Sequence, residues 1–219
     1  MRRSTSSRRW LERQRKDPYV QAARSAGWRS RAVYKLEEID QRERLLRPGM
    51  RVVDLGAAPG GWSQYAAQRV GRGGQVIALD VLEMPPIDGV GFIQGDFRSD
   101  EVLANLERAL AGRRVDLVLS DLAPNLSGAR TIDQPRAMYL AELARDFAVQ
   151  WLNQGGTLVI KAFVGDGFET LVADLRKRFA RVVQRKPAAS RDRSREQYVI
   201  ARDYRGGSES SSPEAAERG

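Results

Sequence analysis

A chain of 219 residues with no histidine and no cysteine must move protons with lysine, aspartate, glutamate or tyrosine. The same absences remove disulfides, thiolate nucleophiles and cysteine-held zinc, and leave no reason to expect a metal. Two residues then stand out, Asp121 and Lys161, each placed where an apolar run ends: V-D-L-V-L-S before Asp121 and T-L-V-I before Lys161. A lysine at the end of a buried strand loses solvation, which disfavours its ammonium form, and a second cation such as Lys35 acts in the same direction. A neutral amine so produced can serve as a general base. The blander alternative is a structural Lys161–Asp121 ion pair.

Such residues need a scaffold, and the stretch that supplies it is V-V-D-L-G-A-A-P-G-G-W-S-Q (52–64). A short apolar run ends at Asp54, a turn carries Gly56, Gly60 and Gly61, and Trp62, Tyr65 and Ala66 recur at helical spacing. This reads as strand, tight turn and helix, the opening unit of a nucleotide-type α/β domain. The glycines are expected because a ligand approaches the backbone or because the turn needs positive φ. Ala58 interrupts the Gly-x-Gly-x-x-Gly pattern of dinucleotide binders, and no Gly-Lys-Ser/Thr follows as in a P-loop. NAD and nucleoside triphosphates are therefore disfavoured, and a loop for S-adenosylmethionine (SAM) remains.

The alternation then continues. Ser30 is placed as N-cap of a helix whose Val33, Leu36 and Ile39 share a face, with Arg31 and Lys35 one turn apart on another. Strands are expected over 75–79, 90–93, 115–119 and 157–160, and two more near Val182–Val183 and Tyr198–Ala201. Helices fall around Val102–Leu110, after an N-cap at Asp133, and over 168–179. Together these make a mostly parallel seven-stranded sheet with helices on both faces. Open sheets of this kind bind ligands beyond the carboxyl ends of their strands. Asp54, Asp80, Asp96, Asp121 and Lys161 all fall there. Asp80 stands where an acid takes a ribose hydroxyl pair, and Asp96 could accept from an adenine amino group. A doubly wound order would set the strands of Asp121 and Lys161 both beside the first.

Charge is segregated. Residues 1–35 carry 11 Lys/Arg against 2 Asp/Glu, and 176–205 carry 11 against 3, whereas 36–175 carry 14 against 20. Basic flanks around an acidic body point to a phosphate backbone as partner. Residues 1–17 are expected to form a mobile basic arm, 18–205 the domain, and 206–219 a disordered tail. No apolar run reaches the about 18 residues of a membrane span, and the Arg- and Ser-rich start is unlike a signal peptide. A cytoplasmic protein is expected, and nothing demands a dimer, so a monomer.

Several further motifs carry a resemblance: S-R-A-V-Y-K-L (30–36), Q-G-D-F-R (94–98), S-D-L-A-P-N-L-S-G (120–128), P-R-A-M-Y-L (135–140), V-I-K-A-F (159–163) and S-R-E-Q-Y (194–198). With the loop at 52–64, they make the chain similar to the FtsJ-type ribosomal-RNA 2′-O-ribose methyltransferases, in detail the bacterial members acting on large-subunit rRNA. The resemblance covers all but the two tails and implies a Rossmann-like SAM-dependent methyltransferase domain. It implies a Lys–Asp–Lys–Glu tetrad at Lys35, Asp121, Lys161 and Glu196, and SAM contacts at Gly60, Trp62, Asp80, Asp96 and Asp121. It further implies methylation of a uridine ribose in 23S rRNA on the assembled large subunit. Methylation of tRNA or another RNA, or a non-catalytic SAM-binding assembly factor, are the alternatives. An NAD-dependent oxidoreductase fits worse.

Overall fold

The computed structural model describes residues 17–125, 127–191 and 194–206. Apart from Asp17 and Gly206, the expected N-terminal arm and C-terminal tail lie outside the described residues.

Chain order is α1 (Pro18–Ser25), α2 (Val33–Glu43), β1 (Arg51–Leu55), α3 (Gly61–Val70), β2 (Gln75–Asp80), β3 (Val90–Gln94), α4 (Asp100–Leu110) and β4 (Val115–Ser120). It continues with α5 (Arg130–Trp151), β5 (Leu152–Phe163), α6 (Phe168–Arg178), β6 (Phe179–Arg185) and β7 (Glu196–Tyr204). The strands form one seven-stranded sheet in the order β3-β2-β1-β4-β5-β7-β6. β1 to β5 pair in parallel, while β7 runs antiparallel to both β5 and β6. The reversal of β7 matters, because it brings the start of one strand, Glu196, to the edge where the parallel strands finish.

Central strands read as unbroken apolar runs because both faces are covered. Alternate residues serve opposite faces. Val53, Leu55, Ile77, Leu79, Leu158 and Ile160 pack with α4, α5 and α6, through Leu106, Ala144, Phe147 and Leu171. Val52, Val76, Leu117, Leu119, Val159, Tyr198 and Ile200 pack with α2 and α3, through Leu36, Ile39, Trp62 and Tyr65. The helices thus lie on both faces, as the patterning predicts.

Four local readings need correction. Lys161 does not stand beside the first strand: β1 neighbours β4, and β5 lies one strand further out. Ser30 is not an N-cap, since α2 starts at Val33 with Ala32 before it, and the Ser30 hydroxyl is buried without a hydrogen-bond partner. Asp133 sits inside the first turn of α5, where its carboxylate accepts the Ser127 and Gly128 N–H groups at 2.8 and 3.0 Å. It caps from within. Helix α1 was not expected: Asp17 caps it through the Tyr19 N–H (3.0 Å), with Pro18 in the first turn.

The positive φ expected of the glycine turn is present, together with close neighbours from the chain itself. Gly56 adopts φ +79°, and a Cβ there would lie 2.9 Å from the Leu122 backbone nitrogen. At Gly60, φ is +103° and a Cβ would meet Met84 and Ile87 at 2.7 Å. The chain's own neighbours and the positive φ demand glycine, before any ligand does.

Candidate active site

The strand ends bring the four tetrad candidates into one hydrogen-bonded chain. Lys161, buried near the end of β5, donates from Nζ to the Asp121 carbonyl at 2.7 Å and pairs with Asp121 Oδ1 at 3.0 Å. Asp121 is held just past β4 by its N–H, which donates to the Leu55 carbonyl at 3.0 Å. On α2, Lys35 pairs with Glu196 at 2.5 Å. Arg31, just before α2, and Lys35 each have their own carboxylate, Asp17 and Glu196 respectively.

Between the two lysines stands Tyr198, which the sequence reading did not name as a site residue. Its hydroxyl donates to Asp121 Oδ1 at 2.8 Å and accepts from Lys35 Nζ at 3.3 Å. Lys35 Nζ also lies 5.6 Å from the centre of the Tyr198 ring, a cation–π distance. Burial first, then the Asp121 and Glu196 charges, push the Tyr198 phenol well above its ordinary range, so it stays protonated and donates. Register explains its place, since Tyr198 pairs opposite Lys161 and Glu196 opposite Phe163. The signal in the sequence is the two-residue spacing from Glu196 to Tyr198, which puts both on one face of a strand.

Other predicted contacts are distributed unevenly. Gly60 opens α3, whose next N–H groups have no partner within the helix. Trp62 turns its side chain away, its indole N–H donating to the Ala32 carbonyl (2.7 Å) and its ring lying 5.5 Å from that of Tyr198. The Asp80 carboxylate accepts from the Ala58 and Leu82 N–H groups at 2.9 and 2.8 Å, bracing the glycine turn from below. Asp96 is half-buried and engaged by the Arg98 guanidinium, which lowers its pKa to about 2.

Asp54 is fully buried. Its Oδ2 accepts from the Ser63 hydroxyl at 2.6 Å, and its Oδ1 has no protein partner. Loss of water raises its pKa to about 7 against the Ser63 hydrogen bond, with Asp121 and Asp80 adding in the same direction. Three carboxylates therefore share one electrostatic neighbourhood at the strand ends. Phosphates would be repelled there, whereas a cationic ligand with N–H donors is favoured. Among the described residues no group of three metal-ligating side chains occurs.

Two segments meet over this edge. Arg29, just before α2, donates to the Pro85 and Pro86 carbonyls at 2.5 Å each, clasping the loop that follows Asp80. A cleft of about 530 Å³ lies elsewhere, lined by Arg44, Arg47, Asp116 and Gly155 where strands begin, and holds no tetrad member.

A mostly parallel sheet with carboxylates and a lysine–carboxylate network gathered at its strand ends has the architecture that takes ligands beyond the carboxyl ends of its strands. The profile of the FtsJ-like methyltransferases matches residues 28–204, and the chain belongs to that family. It is 57% identical over 201 residues to the Halorhodospira halophila "Ribosomal RNA large subunit methyltransferase E", covering 92% of this chain and 95% of the relative. With the Pseudomonas aeruginosa protein of the same name it shares 55% over 206 residues, 94% of this chain and 100% of the relative. A crystal structure from Plasmodium falciparum, described provisionally as a ribosomal RNA methyltransferase, superposes with a TM-score of 0.75 at 30% identity, over 82% of this chain and 100% of the other.

Proposed function

We propose that this chain methylates the ribose 2′-hydroxyl of a uridine in the RNA of the large ribosomal subunit, with SAM as donor and Lys161 as general base. The observation that carries the reading is the unbroken chain Glu196–Lys35–Tyr198–Asp121–Lys161 at the strand ends. SAM, when bound, supplies an electrophilic methyl group on a sulfonium. The fit rests on the buried, unpaired Asp54 Oδ1 and the carboxylates around it, with Gly60, the Trp62 backbone, Asp80, Asp96 and Asp121 as its holders.

The chain's residues then have a small task, because the methyl donor is already activated. They must align a weak nucleophile and remove one proton. Two directions around Lys161 Nζ are taken by Asp121, which fixes where the third points. Lys35, turned by Glu196 and braced by Tyr198, is a cation for the target nucleotide's phosphate. Arg31 and the basic flanks supply further phosphate contacts. We assign the enzyme to the cytoplasm, where its substrate is, and to a monomer that acts on the assembled subunit.

The test is methyl transfer from labelled SAM to undermethylated large subunits, beside free rRNA and tRNA, with Lys161→Ala as control. Label on a subunit uridine ribose is expected, with Lys161→Ala losing about 10²–10⁴-fold in rate and regaining part of it when small primary amines are added. Label on tRNA alone would overturn the substrate. A Lys161→Ala protein with full turnover would remove the base.

A further inference from the structure

Beside the tetrad lies a second cleft, about 260 Å³, lined by Gly128, Arg130, Asp133, Gln134, Phe163, Ser194 and Arg195. It is smaller than the ~300–1,000 Å³ typical of pockets for drug-sized ligands, a size suited to one planar base. Its position is set by the catalytic strands: Phe163 lies two residues past Lys161, and Ser194–Arg195 run directly into Glu196. The Asp133 carboxylate already accepts the N–H groups of Ser127 and Gly128 at the start of α5, so this helix end is not free for a phosphate.

The floor residue is Gln134, 6% exposed. Its Nε2 donates to the Phe163 and Asp166 carbonyls at 3.0 and 3.1 Å. Two carbonyl partners fix which amide atom is nitrogen. Oε1 is therefore an acceptor, and it is buried with no hydrogen-bond partner. An orphaned buried acceptor is costly unless something donates to it. The same cleft is lined by donors, the exposed Arg130 and Arg195, the latter giving one N–H group to the Val164 carbonyl at 3.1 Å. Phe163 adds an apolar ring. A cleft that offers one acceptor together with donors suits a base edge that shows an N–H flanked by carbonyls, the edge of uracil. Cytosine presents a ring nitrogen acceptor at that central position, which would face Oε1 lone pair to lone pair.

We infer that this cleft holds the base of the methylated nucleotide and that Gln134 Oε1 selects uracil over cytosine. The inference rests on the proposed RNA 2′-O-methylation and names the specificity element of the same site. The walls belong to different segments, the turn at 127–130 and Ser194–Arg195, so the base enters by parting them.

The test uses the full-length protein and large subunits whose rRNA carries uracil or cytosine at the labelled position. Wild type should prefer uracil by at least about 10-fold in kcat/KM, the scale of one unmatched hydrogen bond. Gln134→Leu should bring that ratio close to one while SAM binding, followed by calorimetry, is retained. A loss of helix anchoring alone would lower both rates and leave the ratio unchanged, and that result would overturn the inference. Arg130→Ala, at an exposed position, should raise KM for the subunit with kcat retained. For wild type, 4-thiouracil at the target should photo-crosslink within 128–134 or 194–195; crosslinks elsewhere would overturn the assignment. Absence of any methyl transfer by wild type would instead overturn the enzymatic reading, and this inference with it.

Discussion

Asp54 shows how a single carboxyl can tie folding to pH. In the folded chain its pKa is about 7, whereas the ordinary aspartate value is 3.8. Between those limits the folded state holds a proton that the unfolded state has released, so stability falls as pH rises from 4 to 7 and then levels. The whole effect is about 4 kcal/mol at ~1.4 kcal/mol per unit. Asp54→Asn removes the titration, and its stability relative to wild type should climb through that window in urea unfolding without ligand. Parallel profiles for the two proteins would dismiss the buried charge as cause. Tyr198 makes the complementary case, since its hydroxyl joins Lys35 to Asp121. Tyr198→Phe keeps the ring but breaks the link, and hydrogen bonds to charged groups contribute about 1.5–3 kcal/mol. We expect turnover to drop about 10-fold with SAM affinity retained; unchanged turnover would make Tyr198 packing alone.

Helix α2 delivers Lys35, and its far end is clamped by charge. Glu43, 3% exposed, pairs with Arg185 at 2.5 Å and lies 3.5 and 3.8 Å from Arg181 and Arg202, which reach it from β6 and β7. One turn earlier the buried Asp40 accepts the Leu45 and Leu46 N–H groups and the Tyr65 hydroxyl. Glu43→Ala would take the shared carboxylate from three arginines that themselves reach solvent, so the loss should fall below the about 3–5 kcal/mol of a wholly buried pair. Denaturant unfolding should show that loss, and turnover should fall with it as Lys35 drifts from Glu196. Legibility in the sequence follows the same logic. The β1–turn–α3 unit could be read because apolar runs, glycines and helical spacing are local signals, and Asp121 and Lys161 because each ends such a run. For Tyr198 the sequence offers only its spacing from Glu196, since a tyrosine inside a strand looks like core until the antiparallel β5–β7 register sets its hydroxyl beside Asp121. Glu196 came only through resemblance, and α1 was hidden in a flank whose charge drew attention from its Asp17–Pro18 start.

For the molecule as a whole, the decisive quantity is the distribution of charge rather than its total. Two flanks rich in arginine bracket an acidic body, and the acidic part includes the strand-end carboxylates suited to a cation. On the proposed function, the basic flanks would meet phosphates and the strand-end carboxylates the methyl donor. Binding to the subunit should weaken steeply with salt, with a log–log slope of about −0.7 to −0.9 per phosphate contact. A chain beginning at Asp17, which lacks seven Lys/Arg of the arm, should show a shallower slope and an unchanged affinity for SAM. Equal slopes would mean the arm does not touch RNA. The fold itself was readable at this level because βα alternation leaves few topologies, whereas the order that separates β5 from β1 is a matter of pairing that no single strand encodes.

The Arg29 clasp has a consequence for turnover as a cycle. It joins the segment leading to Lys35 with the loop following Asp80, so on the proposed function the side that would receive RNA and the side that would hold the donor share one edge. Whatever free energy one occupant gains by tightening that edge is returned in full to the other. Spent donor should therefore bind more tightly while RNA is bound than after it departs, by the same factor by which the donor tightens RNA.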